Sequence, residues 1–106
     1  MSVMASPQPD RRRLKRIAHH LDPVVMVGEQ GVNEAVVAET ERALADHELI
    51  KVRILSGDRD ARIDMTRALA DACGAEVVQR VGKVAVLFRK NAEPNHRLSN
   101  LTRFGE

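Results

Sequence analysis

Apolar positions along the chain alternate between two periods, and the places where the period changes mark out the elements. Leu14, Ile17, Ala18 and Leu21 recur at helical spacing, which predicts a helix from Arg11 to Leu21 capped by Asp10 and ended by Pro23. Val24 to Val27 is apolar without a break, the pattern of a strand buried on both faces. A second helical period runs from an Asn33 cap to Asp46, with Val36, Val37, Thr40, Ala43 and Leu44 as its inward stripe. Leu49 to Leu55 alternates, so Ile50, Val52 and Ile54 share one strand face and Lys51 and Arg53 the other. Ser56-Gly57 turns the chain, Asp58 caps a third helix from Arg59 to Cys73, and Gly74 stops it. Glu76 to Val81 and Lys83 to Arg89 form a hairpin around Gly82. The unbroken apolar run Val84 to Phe88 suits an inner strand.

This order predicts a single-domain α/β fold, α-β-α-β-α-β-β. Two strand–helix–strand units give parallel pairing and the hairpin adds an antiparallel strand, for a four-stranded mixed sheet with packed helices. With the crossover helices on one face, Lys51, Arg53, Lys83 and Arg89 point away from them; whether the basic first helix covers part of that other face is not decided by the sequence. The domain is expected to span residues 10–90. Residues 1–9, polar with two prolines, read as a disordered leader, and residues 91–106 as a flexible, mildly basic polar tail.

Composition narrows the function classes. The chain has 106 residues, enough for one core, with 43% hydrophobic and 30% charged residues, a globular balance. No apolar run reaches the roughly 20 residues of a membrane span, and no secretory signal is evident. Cys73 is the only cysteine, which leaves no internal disulfide framework and points to the cytoplasm. A catalytic reading fails group by group. Cys73 lies on the apolar side of its helix, where a thiol is inert. The neighbours His19 and His20 point to different sides of a helix, while His47 and His96 are isolated, so no metal site is expected. Asp60 and Asp64 interleave with Arg59, Arg62 and Arg67, as surface ion pairs would. No phosphate-binding loop lysine, dinucleotide glycine pattern or serine elbow is present. The expectation is a protein that is not an enzyme, with no cofactor, metal or small-molecule substrate.

Net charge is only +2 with a pI of about 9.1, so the distribution of charge matters more than its sum. Arg11, Arg12, Arg13, Lys15 and Arg16 crowd the first helix, while the exposed face of the second carries Glu34, Glu39, Glu41 and Asp46 against Arg42. Between them lies Gly28-Glu29-Gln30-Gly31, with Val32 leading into the second helix. A helix start leaves main-chain N–H groups without partners and carries partial positive charge, and glycines there let a phosphate approach the backbone. An acidic helix repels a polyanion along its length, so contact must come end-on, through this loop. Main-chain N–H groups at Gly31 and Val32 would hold the phosphate, with Gln30 assisting. Glu29 would oppose it by like-charge repulsion. Arg11, Arg12, Arg13, Lys15, Arg16, Lys51, Arg53, Lys83 and Arg89 would supply the long-range attraction. With Phe88 and Phe104 as the only aromatics besides histidine, a base-stacking platform is not expected, and Phe88 reads as core. The competing reading makes the glycines a simple turn and the acidic helix a docking face for a basic protein.

Leu21-Asp22-Pro23-Val24-Val25-Met26-Val27-Gly28 with Gly31-Val32, then His47-Glu48-Leu49-Ile50-Lys51-Val52, and Val81-Gly82-Lys83 leading into Val86-Leu87-Phe88-Arg89 occur in a telling order. From Leu14 to Arg89 the chain resembles the YhbY-type RNA-binding proteins, the stand-alone bacterial form of the CRM (chloroplast RNA splicing and ribosome maturation) domain. The resemblance implies a fold similar to the C-terminal domain of bacterial initiation factor three. It also implies association with large-subunit ribosomal RNA or pre-ribosomal particles, through the loop Gly28 to Gly31. Plant relatives carry repeated copies that assist intron splicing; one copy here makes the ribosomal role the nearer implication, and a monomer is expected. Glu29 departs from the basic or polar residue that family members often place between the two glycines.

Overall fold

A computed structural model describes residues 10–55 and 57–104. Its elements are α1 (Arg11–Ala18), β1 (Pro23–Val27), α2 (Glu34–His47), β2 (Leu49–Ile54), α3 (Arg59–Cys73), β3 (Glu76–Val81), β4 (Val84–Phe88) and α4 (Asn100–Phe104). Three helices start where a short polar side chain can accept from an orphan N–H. Asp10 accepts from Arg13 N at 2.7 Å, and Asn33 from Val36 N and Asp58 from Ala61 N at 2.9 Å each. α1 is shorter than its apolar period. After Ala18 the turn tightens, with His20 and Leu21 donating to Ile17 and Ala18 three residues back.

The strands form one sheet in the order β1-β2-β4-β3. β1 and β2 are parallel neighbours joined by α2, as expected. The second strand–helix–strand unit does not pair its own strands. β4 lies between β2 and β3, antiparallel to both, because the tight Gly82 hairpin delivers it beside β3 while α3 has carried β3 one place too far to reach β2.

Helices cover both faces unequally. α2 and α3 bury Val25, Val27, Ile50, Val52, Ile54 and Leu87 against Leu44, Leu69, Ala70 and Cys73. On the other face α1 buries Leu14, Ile17 and Ala18 against Leu49, Val78, Val86 and Phe88. α1 lies over the β3–β4 side, so the reading of β1 as buried on both faces does not hold. Val24 and Met26 remain 48% and 55% exposed. β1 is an edge strand with one open face.

Residues 91–104 also depart from expectation. In place of a flexible tail they pack on the domain: Ser99 and Asn100 are buried, and Leu101 adds to the α1 core. Their anchor is Glu48, 3% exposed and at φ 63°, whose carboxylate accepts from Ser99 Oγ and Asn91 N at 2.7 Å each. Asn91 Nδ2 reaches the carbonyls of Leu44 and Ala45 at the end of α2, and Asn100 Nδ2 that of Leu49. The segment is polar because its work is to satisfy buried main chain, so no apolar period announces it. The expected leader, residues 1–9, lies outside the described residues.

Candidate nucleic-acid interface

Three turns meet at one end of the sheet. Parallel pairing of β1 and β2 puts their C-terminal tips side by side, where Leu55 N donates to Val27 O at 2.8 Å. Antiparallel β4 starts at the same end, and Ile54 N donates to Lys83 O at 2.7 Å, drawing in the hairpin turn. The glycine loop, the β2–α3 turn and the Gly82 turn are thus neighbours.

Backbone geometry explains two of the glycines. Gly31 N donates to Gly28 O at 3.0 Å, closing a tight turn, and Gly31 itself has φ 72°. Gly57 has φ 89°, and a Cβ there would lie 2.8 Å from Ala61 Cβ and 3.1 Å from Met65 Cε. Met65 also sits beside Gly31, 3.9 Å from where its Cβ would be, so one side chain on α3 supports both turns. Asn33 caps α2 and donates weakly to Gln30 Oε1 at 3.4 Å, joining loop to helix start.

This geometry revises the assignment of donors in the loop. The Gly31 N–H is engaged within the turn and is not available to a phosphate. The N–H groups of Val32, Glu34 and Ala35 have no acceptor among the described residues, as the first turn of a helix requires. Glu29 and Gln30 are exposed, and the Gln30 amide N–H groups likewise have no acceptor among the described residues. Glu29 and Glu34 place carboxylates close by, so electrostatic attraction must come from elsewhere.

The expected cations divide into two groups. Lys51 and Arg53 do lie on the face away from α2 and α3, opposite Val86 and Val84 of β4. Lys51 joins Lys15, His19, Gln79, Val81 and Val84 around a groove of about 280 Å³ under α1. Arg12, Lys15 and Arg16 are exposed on α1. Lys83 is exposed at the hairpin turn but, contrary to expectation, lies on the α3 side, beside Arg59, Arg62 and Arg80. Arg13 is half-buried. Arg11 instead pins α1 to the sheet: it pairs with Glu76 at 2.6 Å and donates to Val77 O and Val78 O at 2.9 Å each. Those carbonyls sit at an irregularity in β3, where Val77 and Gln79 face the consecutive residues Leu87 and Val86.

Arg89 is the clear correction. It turns to the α2–α3 side, pairing with Glu41 at 2.6 Å and donating to Cys73 O at 3.0 Å, where it joins helix to helix. Two places after Leu87, which packs in the α2–α3 core, it continues the β4 alternation onto that face, while Val86 and Phe88 face α1. The expected ion pairs of Asp60 and Asp64 are absent among the described residues, and Arg62 donates to Gly57 O at 2.8 Å instead. Arg59, Arg62 and Arg80 also reach the three-turn end, unrecognised as contacts in the sequence because nothing in their spacing joins α3 to β3.

Cys73 is buried and its thiol pKa is raised, first by burial and then by Glu41, with Arg89 pulling the other way. Among the described residues no group of three or more His, Cys, Asp or Glu side chains is gathered for a metal ion. No helix among them is long and apolar enough to cross a membrane.

The CRS1 / YhbY (CRM) domain profile matches residues 8–89. The chain belongs to this family. It is 46% identical over 101 residues to a Pseudomonas aeruginosa protein named "Probable RNA-binding protein", covering 95% of this chain and 97% of that one. A Haemophilus influenzae protein named "RNA-binding protein" is 40% identical over 98 residues, with 92% and 97% covered. The solution structure of a Staphylococcus aureus protein, proposed to bind RNA, superimposes with a TM-score of 0.71 at 32% identity, covering 78% of this chain and 86% of that one. The single α/β domain with its mixed sheet is thus a CRM fold, and none of these relatives is named as an enzyme.

Proposed function

We propose that this CRM protein binds RNA with the three-turn end of its sheet, working as a cytoplasmic monomer in assembly of the large ribosomal subunit. The observation that carries the reading is the concentration of unengaged hydrogen-bond donors and unpaired cations at one end. Donors at Val32, Glu34, Ala35 and Gln30 stand at the start of α2, and Arg53 and Lys83 flank them without carboxylate partners among the described residues. A phosphate satisfies both deficits at once, since it accepts from main-chain N–H groups and neutralises nearby charge. Lys15, Lys51, Arg12, Arg13 and Arg16 extend the positive surface along the open face, which suits a long polyanion. The names of the relatives supply the nucleic acid.

The test is binding of the purified protein to a large-subunit ribosomal RNA fragment across a salt series, with Gly31→Asp alongside. The expected result is a steep loss of affinity with salt, by about 0.7 log units per log unit of salt for each single-strand phosphate neutralised, and a folded variant that binds far more weakly. Salt-insensitive or absent binding, or normal binding by the folded variant, would overturn the mechanism. The docking of a basic ribosomal protein on α2 would then come first, although Glu41 on that helix is already engaged by Arg89.

A further inference from the structure

A second cationic site lies around the edge of the three-turn end, on the face that carries α3. Arg59 and Arg62 from the first turn of α3, Arg80 from β3 and Lys83 from the hairpin turn line a cavity of about 100 Å³, floored by Ile63 and Thr66. Arg80 lies opposite Ala85, whose other partner is Val52, so alternation aims it toward the α3 side of the sheet. None of the four cations forms an ion pair among the described residues. Arg62 is held by a hydrogen bond from its Nη1 to Gly57 O, yet its Nε is buried with no acceptor among the described residues. Four like charges around one small space repel one another, and a buried N–H without an acceptor is costly. Both are relieved by a small, multiply charged acceptor. Thr66 Oγ1 donates to Arg62 O and does not serve that purpose.

From this we infer that the cavity between α3 and the β3–β4 turn binds a phosphate group through Arg59, Arg62, Arg80 and Lys83. A phosphate offers several acceptor oxygens to the guanidinium forks and fits a space too small for a nucleoside. The same chemistry occurs in an RNA backbone and in a free phosphate or nucleotide. Taking the RNA backbone as the source rests on the function proposed above. In that arrangement one strand is gripped twice, by the glycine loop and, across the β2–α3 turn, by this arginine cluster.

The test follows the Arg62 Nε–H resonance of the full chain by NMR during titration with inorganic phosphate and, separately, with a single-stranded ribosomal RNA fragment. Arg59→Gln/Arg80→Gln is compared throughout, since both side chains are exposed and leave the Arg62–Gly57 bond in place. Expected are saturable shifts of that resonance with both probes in the wild type, lost in the double variant at an unchanged thermal midpoint. RNA affinity of the variant falls roughly tenfold and its salt slope by about 1.4, the value for two single-strand phosphate contacts. A resonance indifferent to both probes, or a double variant that binds both like the wild type, overturns the site. A phosphate response with unchanged RNA affinity in the variant overturns the RNA source and assigns the cavity to a free phosphate compound. A phosphate response from a protein that binds no RNA overturns the function proposed above while the phosphate site stands.

Discussion

The two ends of the sheet are built from the same kinds of junction and are finished in opposite ways. At the end where β2 begins, α2 ends in carbonyls that need donors, and Asn91 supplies two. Glu48 is buried there, and Ser99 Oγ and the Asn91 main chain each donate to one of its carboxylate oxygens. Arg89 N donates to Glu48 O, and the Arg89 guanidinium is shared between Glu41 and Cys73 O. At the other end, where β1 and β2 finish, the start of α2 keeps N–H groups without acceptors, and Arg53 and Lys83 keep no carboxylate partners among the described residues. Both ends contain charge and hydrogen-bonding capacity. One has engaged it in the fold and the other has not, and unengaged capacity at the surface is what a ligand can use.

This contrast can be broken most severely at the closed end. Glu48→Ala leaves Ser99 Oγ and Asn91 N without their acceptor, and is expected to cost about 2–3 kcal/mol in urea denaturation. RNA affinity of the folded protein should not change; a variant as stable as the wild type would show that the clasp does not hold that end. Gly31→Asp strikes the open end. It should lower RNA affinity tenfold or more, while placing a Cβ on the left-handed backbone at residue 31 costs about 1 kcal/mol of stability.

A smaller effect is expected from Asn33→Ala, which removes the α2 cap and the link to Gln30. Stability should fall by about 1 kcal/mol, and RNA affinity severalfold as the helix start frays; unaltered affinity would detach the helix start from binding. The finest comparison sets Lys51→Met against Arg89→Met. Lys51→Met should reduce the salt slope of binding by about 0.7. Arg89→Met should leave the slope untouched and show its effect in the melting curve. Equal slopes for the two variants would erase the distinction between engaged and unengaged cations.

Much of the fold is legible in the order of the residues. Asp10, Asn33 and Asp58 announce three helix starts because capping is a local match between one side chain and a main chain three residues away. Ile50, Val52 and Ile54 announce β2 because a strand with one charged face must alternate. The glycine loop is legible as well, since an apolar run followed by Gly-x-x-Gly and a cap leaves the chain few conformations. Each of these signals is carried by residues close in sequence.

Other features depend on partners distant in the chain. The insertion of β4 between β2 and β3 follows from hairpin closure, which outcompetes the parallel pairing that α3 alone would imply. The fate of each arginine depended on what stood across from it. Arg89 met Glu41, 48 residues away, and became part of the fold, while Arg80 met Arg59 and Arg62 and became part of a cationic cavity. The same separation hid the packed tail, because Ser99 reaches Glu48 across 51 residues and leaves no period behind. Between Arg11 and Phe88 the sequence determined by itself which segments are helix, strand and glycine turn, since local sterics, capping and periodic burial decide those. Only the tertiary structure decided which donors and charges remain unengaged, because pairing depends on neighbours that the fold, not the chain, brings together.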